Sequence, residues 1–175
     1  MENFICRRAT REDVLKRWEY LVKIHPDNNA WKVFKEYAIR NFDDGSAIPY
    51  YGLLNDEIIC EATAIVKPSG FDGDISEPDG LLTDKMAYLS AFRTDKAYEG
   101  QGYFSKLYKF VENDLKDMGY TELSLGVGPE DVRNIEIYFH SGFREYIKTT
   151  IEHDSPKDES SVPEDEFVNF YKKII

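Results

Sequence analysis

Apolar positions along the chain recur with two periods, one extended and one helical, and the switches between them mark out the elements. A short run at 4–8 reads as a strand. Thr10 and Asp13 have the spacing of a capping box, and the stripe Val14, Trp18, Leu21 and Val22 predicts a helix that ends near His25-Pro26. Asn29 is placed to cap a second helix whose Trp31, Phe34, Ala38 and Ile39 share a face. Asp43-Asp44-Gly45 reads as a turn, and the apolar runs 47–54 and 57–66 around Asn55-Asp56 read as a hairpin. The segment 67–82, KPSGFDGDISEPDGLL, is a long loop by composition, and 83–94 is a third long strand.

Past Gly100 and Gly102 the period becomes helical, with Phe104, Leu107, Tyr108, Val111, Leu115 and Met118 on one stripe and Gly119 at the C′ position. A strand at 121–127 and a short helix at about 130–141, stopped by Gly142, come next. A strand at 143–152, the acidic loop HDSPKDESSVPEDE and a last strand at 167–174 complete the chain. The order β-α-α-β-β-β-α-β-α-β-β predicts a mixed sheet with helices on its faces, of α/β or α+β class. No repeat and no linker interrupts it, so residues 1–175 are expected to form a single domain.

Composition narrows the function classes. The chain is 42% apolar and 14% aromatic, as globular proteins are, and its net charge is −11. That balance argues against nonspecific nucleic-acid or anionic-membrane binding and leans weakly toward a cationic partner, although acidity is ordinary among soluble proteins. Cys6 and Cys60 make no disulfide framework, the N-terminal residues lack the apolar core of a signal peptide, and no stretch approaches the roughly 20 apolar residues that span a bilayer. The expectation is a soluble, cytoplasmic protein, monomeric or homodimeric.

Chemistry concentrates in two stretches. In YEGQGYFSKLYKF, residues 98–110, two glycines precede a helix start, where unpaired N–H groups and the positive end of the peptide dipole favour an anion. A dinucleotide fingerprint needs a third glycine where Ser105 stands, and the Gly-Lys-Ser/Thr of a P-loop is absent. In DVRNIEIYFHSGFREY, residues 131–146, Tyr138 stands four residues before Gly142-Phe143. Alone, this stretch reads as an ordinary helix with Val132, Ile135 and Phe139 in the core and a glycine stop.

Together the two stretches resemble the GNAT family of N-acetyltransferases over about residues 3–175. The family's Gln/Arg-x-x-Gly-x-Gly/Ala signature falls on Glu99, Gly100, Gln101, Gly102, Tyr103 and Phe104, with Ser105 following. Its later segment falls on Asp131, Asn134 and Tyr138. Glu99 stands where the family has Gln or Arg, Phe104 where it has a small residue, and Asp131 where it has Asn. The resemblance implies a mixed, mostly antiparallel sheet of about seven strands flanked by about four helices. It also implies acetyl-CoA as co-substrate and direct acetyl transfer to an amine acceptor. The pyrophosphate would lie at 99–105, with Asp131 and Asn134 also toward the cofactor. The end of the fourth strand, Phe92, Arg93 and Thr94, would offer backbone N–H groups to the thioester, and Tyr138 would protonate the leaving thiolate.

Other candidates are thinner. Glu61, a charge within the apolar run EIICEATAIV, is either a general base or a solvent-facing edge residue. Asp72, Asp74 and Ser76 begin like a calcium loop, but Glu77 replaces its glycine and Thr83 its closing glutamate. His25, His140 and His153 have no metal spacing, so no metal site is expected. The rival class is a binding module that holds acyl-CoA without turnover.

Overall fold

A computed structural model of the chain describes residues 3–71, 75–153 and 165–175. Within them the expected order of elements is present. It runs β1 (Phe4–Arg8), α1 (Arg11–Ile24), α2 (Ala30–Asp43), β2 (Ala47–Leu54), β3 (Glu57–Ile65), β4 (Met86–Thr94) and α3 (Tyr103–Asp117). β5 (Glu122–Val127), α4 (Val132–His140), β6 (Glu145–His153) and β7 (Asp165–Ile174) follow. The loop after β3 and the turn before α3 each contain a short 3₁₀ segment, Pro68–Phe71 and Lys96–Tyr98. Asp72, Asp74 and most of the acidic loop lie outside the described residues.

The strands form one seven-stranded sheet in the order β1-β2-β3-β4-β5-β7-β6. Every neighbouring pair is antiparallel except β4 with β5. This is the mixed, mostly antiparallel sheet that the resemblance implies, with four α-helices. Alternation of side chains separates its two faces. On one face Ala62, Ala64, Ala87, Leu89, Leu123 and Leu125 pack beneath α3, which buries Tyr103, Leu107, Val111 and Leu115. The alanines let the helix come close, and burying each large apolar side chain contributes roughly 1.5–3 kcal/mol. The opposite face of β2–β4 lies under α1 and α2, whose Trp18 and Trp31 rings meet at 6.2 Å.

Three local expectations need correction. Met118 is exposed rather than part of the buried α3 stripe, which begins at Tyr103, one residue before Phe104. The cap of α2 comes from Asn28, whose Oδ1 accepts the Ala30 N–H at 3.0 Å, while Asn29 accepts from Lys32 Nζ instead. The short helix α4 buries none of its residues fully, and Val132 is exposed, so it is a peripheral element and not a core helix. The capping box of Thr10 and Asp13 is formed as expected.

Two features of β4 shape the centre of the sheet. β4 pairs with β5 only through Met86, Ala87 and Tyr88, so the rest of β4, to Thr94, diverges from β5 and leaves a cleft between parallel neighbours. The β3–β4 register then slips by one residue, from Thr63↔Ser90 to Glu61↔Arg93. The extra residue is accommodated beside Ala91, whose φ of +54° is left-handed and unusual for a residue with a side chain. The bulge turns Phe92 to the α3 face and Arg93 to the α1/α2 face.

Candidate active site

Two cavities share a wall residue at the end of β4. The first, about 280 Å³, is walled by Phe92, Thr94, Glu99, Gly100, Phe104 and Tyr138, with Arg133 and Asn134 at the rim. The second, about 220 Å³, lies between α1/α2 and the opposite face of β2–β4, with Trp18, Phe34, Tyr37, Tyr51 and Glu61 among its walls. Arg93 lines both.

In the first cavity the backbone before α3 is bare. Gly100 and Gly102 have φ of +72° and +81°, a conformation natural to glycine, and a Cβ at either would meet nothing within 4 Å. Gly102 caps α3 without a side-chain bond, and the first intrahelical bond runs from the Lys106 N–H to the Gly102 carbonyl. The N–H groups of Tyr103, Phe104 and Ser105 therefore have no acceptor within the helix. No acidic side chain occupies the first turn of α3. A turn with two left-handed glycines, followed by unspent donors, is a cradle that fits a diphosphate.

Glu99 has a partner that sequence reading did not find. Arg133 on α4 approaches it at 3.6 Å, and both side chains are exposed. A guanidinium thus stands beside the cradle, supplied by a different element. The departure at Asp131 also has a local cause: its carboxylate caps α4, accepting from the Asn134 N–H at 3.2 Å and from Asn134 Nδ2 at 2.6 Å. Asp131 is not in the cavity wall, whereas Asn134 is. Gln101 turns back to the Ala97 carbonyl, and Tyr103 is buried against Phe4 and Tyr98. Gln101, Tyr103, Ser105 and Asp131 are thus outside the walls by side chain, while the N–H groups of Tyr103 and Ser105 still face the helix start.

Tyr138 lies 5.6 Å from the Phe92 ring, which also meets Phe104 at 5.3 Å. Among the described residues its hydroxyl has no hydrogen-bond partner. Burial, and after it the charge of Asp131, pushes its pKa up to about 12. It is held protonated at neutral pH and is suited to give a proton, not to take one.

Glu61 is not at an edge and does not face solvent: only 3% of it is exposed. Its Oε2 accepts from Arg17 Nε at 3.0 Å and its Oε1 from Arg93 Nη1 at 2.5 Å. Arg17 is itself clamped to Asp95 at 2.8 Å. Burial opposes the charge of Arg17, but Asp95 and Glu61 outweigh it and raise its pKa. Sequence reading passed over Arg17, although a charge at the centre of the Val14–Leu21 stripe is itself a signal of a buried pair. Among the described residues no cluster of metal-ligating side chains exists, and His25 stacks on Trp31 at 3.9 Å.

A model of the acetyltransferase (GNAT) family matches residues 9–143. Solved structures cover almost the whole chain at low identity. An IAA acetyltransferase from Bacillus cereus superposes with a TM-score of 0.65 at 13% identity, over 99% of this chain and 100% of that one. The ribosomal-protein-S18-alanine N-acetyltransferase from Escherichia coli gives 0.65 at 16% identity, over 99% and 94%. A GNAT family acetyltransferase from Elizabethkingia anophelis with acetyl-CoA bound gives 0.62 at 15% identity, over 99% of both chains. Among curated proteins no sequence match is found. No helix among the described residues is long and apolar enough to cross a membrane. The family match over most of the chain and the splayed sheet agree: the chain belongs to the GNAT family of acetyltransferases.

Proposed function

We propose that residues 1–175 act as a single acetyltransferase domain that moves an acetyl group from acetyl-CoA directly to a primary amine, with both substrates bound together. The observation that carries this reading is that Arg93, at the bulged end of β4, lines two cavities, one beside the glycine turn before α3 and one against α1 and α2.

In this reading the backbone N–H groups of Gly102 through Ser105 hold the pyrophosphate, with Arg133 adding the cation that Glu99 does not supply. The cleft between β4 and β5 receives the pantetheine arm, beside Asn134. Backbone N–H groups at Phe92, Arg93 and Thr94, freed by the divergence from β5, polarise the thioester carbonyl. The neutral amine, having lost its proton to water, attacks the acetyl carbon. A C–N bond forms, the C–S bond breaks, and the amine nitrogen gives up one proton. The departing thiolate receives one from Tyr138, which regains it from solvent. Glu61, expected as a base, acts as a positioning residue for Arg93, since each of its oxygens already accepts from a guanidinium.

The test is a titration with acetyl-CoA followed by a thiol-release assay against an amine panel. Saturable binding with release for at least one amine is the expected result. Binding without release for any amine would leave an acyl-CoA-binding module of the same fold.

A further inference from the structure

The second cavity presents an unusual set of polar groups to whatever occupies it. Glu61 is the carboxylate in its wall, and both oxygens are spent on Arg17 and Arg93. Asp95, the other acid of this network, is clamped by Arg17 through two contacts of 2.8 and 3.3 Å. The side chain of Arg93 is 31% exposed against 4% for Glu61, so the charge that faces the cavity is the guanidinium. One Nη1 donor goes to Glu61, while among the described residues Nε and Nη2 have no acceptor. The rings of Trp18 and Trp31 lie 5.5 and 5.1 Å from its centre and hold the guanidinium in place. It is a fixed fork with one edge free, and such an edge matches a carboxylate in two parallel hydrogen bonds.

A second, independent feature is Tyr51. The residue is 2% exposed, lines this cavity, and its hydroxyl has no hydrogen-bond partner among the described residues. That hydroxyl can both donate and accept, and it stays available to a polar group bound in the cavity. The remaining wall is largely apolar, with Trp18, Phe34 and Ile65. At about 220 Å³ the cavity falls below the roughly 300–1,000 Å³ typical of drug-sized ligands. It suits a small metabolite with an apolar body.

We propose that the acceptor is a free α-amino acid with an apolar or aromatic side chain, its carboxylate held by the free edge of Arg93 and its side chain packed against Trp18 and Phe34. The proposal rests on the acetyl-transfer reading above and names the substrate of that same site. The placement of Arg93 decides between classes of amine. It lines both cavities, so an anion on it stands beside the point where the acetyl group arrives. An α-amino acid carries its carboxylate one carbon from its amine and satisfies both demands at once. A polyamine, toward which the net charge of −11 leans, meets a cation and a carboxylate already neutralised twice. An aminoalkyl phosphate offers the anion but no apolar body for the aromatic wall. The transfer is then the balanced step given above: the α-nitrogen gains the acetyl group and loses one proton, and the thiolate gains one.

The experiment measures CoA release by the full chain with L-phenylalanine, L-leucine and L-methionine, with the C-terminal amide of each, and with phenethylamine, spermidine and O-phosphoethanolamine. At least one free amino acid is expected to have kcat/KM about tenfold to a hundredfold above its own amide, and phenethylamine to fall with the amides. In Arg93→Gln, KM for that amino acid should rise by a similar factor and the preference over the amide should vanish. Arg93→Lys, which keeps the charge but not the fork, should fall between, and melting curves on the same preparations separate this from unfolding. Release with the amides, spermidine or O-phosphoethanolamine at or above the free amino acids overturns the acceptor class while acetyl transfer stands. A preference for the carboxylate that survives Arg93→Gln in the folded protein overturns the role of Arg93. No release with any amine, despite acetyl-CoA binding, overturns both readings together.

Discussion

Tyr138 is the residue whose environment best matches a single chemical task. The phenol is walled by Phe92, carries no hydrogen-bond partner among the described residues, and is held protonated by a pKa raised to about 12 by burial and by Asp131. Tyr138→Phe keeps the ring and so keeps the contacts with Phe92 and Phe143. We expect kcat to fall about a hundredfold, the low end for positioned acid catalysis, because a CoA thiolate leaves fairly well. The affinity for acetyl-CoA should change little, since the loss falls in the transition state. Because the raised pKa keeps the phenol protonated until well above neutrality, its ionisation should cause no loss of rate from neutral into mildly alkaline pH. A folded mutant with unchanged kcat on steady-state assay would remove Tyr138 from the mechanism. At this scale part of the candidate site was legible in the sequence, since Gly100, Asn134 and Tyr138 line the first cavity and Gly102 caps α3 next to it. What was not legible depended on pairing across distant elements: Arg17 with Glu61 is separated by 44 positions. Arg133 with Glu99 crosses from one helix start to another.

Elements carry the cofactor site, and there the start of α3 sets the terms. Strands and helices were readable because each keeps its period, and the errors fell at ends, where the capping atom was one residue away or the buried stripe began one residue earlier. The bulge in β4 was unreadable, because Ala91 and its neighbours alternate like any strand and only register against β3 shows the slip. Two substitutions at the glycine turn should act in opposite directions. Gly102→Asp places a carboxylate before unspent N–H groups and a side chain at φ +81°, so acetyl-CoA affinity should fall at least tenfold, with a stability loss of about 1 kcal/mol. Gly102→Asn, which tolerates the left-handed backbone and has no charge, separates repulsion from strain. Glu99→Arg should tighten CoA binding severalfold at low salt, because it removes a negative charge, frees Arg133 from its pair and adds a cation. That gain should shrink by 0.5 M salt, where exposed charges are screened. Isothermal titration of the three variants at two ionic strengths decides it. Equal affinity in Gly102→Asp would remove the diphosphate cradle, and weaker binding in Glu99→Arg would show that the Glu99–Arg133 pair is needed intact.

The whole molecule is a sheet opened in its middle, with a different helix layer over each face, and that arrangement governs the order of events. α3 covers one face and leaves its own start open, α1 and α2 cover the other, and Arg93 lines a cavity on each side. The element order made such a mixed sheet readable from sequence, but the opening itself is a property of pairing: β4 continues six residues past its last contact with β5. Two mouths on opposite faces allow the acceptor to enter while the acetyl donor is still bound. A relay through an acetylated enzyme would instead need a nucleophile at the junction. Neither cysteine is there. Cys60 is fully buried on the α3 face with its thiol pushed up to about 12, chiefly by burial, and Cys6 lies on β1, its pKa likewise raised by burial. Neither lines either of these two cavities, and no histidine lines them to activate the Ser90 or Thr63 hydroxyl. Initial rates at varied concentrations of both substrates should therefore give intersecting reciprocal lines, and incubation with acetyl-CoA alone should leave the intact mass of the chain unchanged. Parallel lines together with a stably acetylated chain would place a covalent step between the two cavities. They would then act in turn, and the shared wall at Arg93 would be a relay point instead of a meeting point.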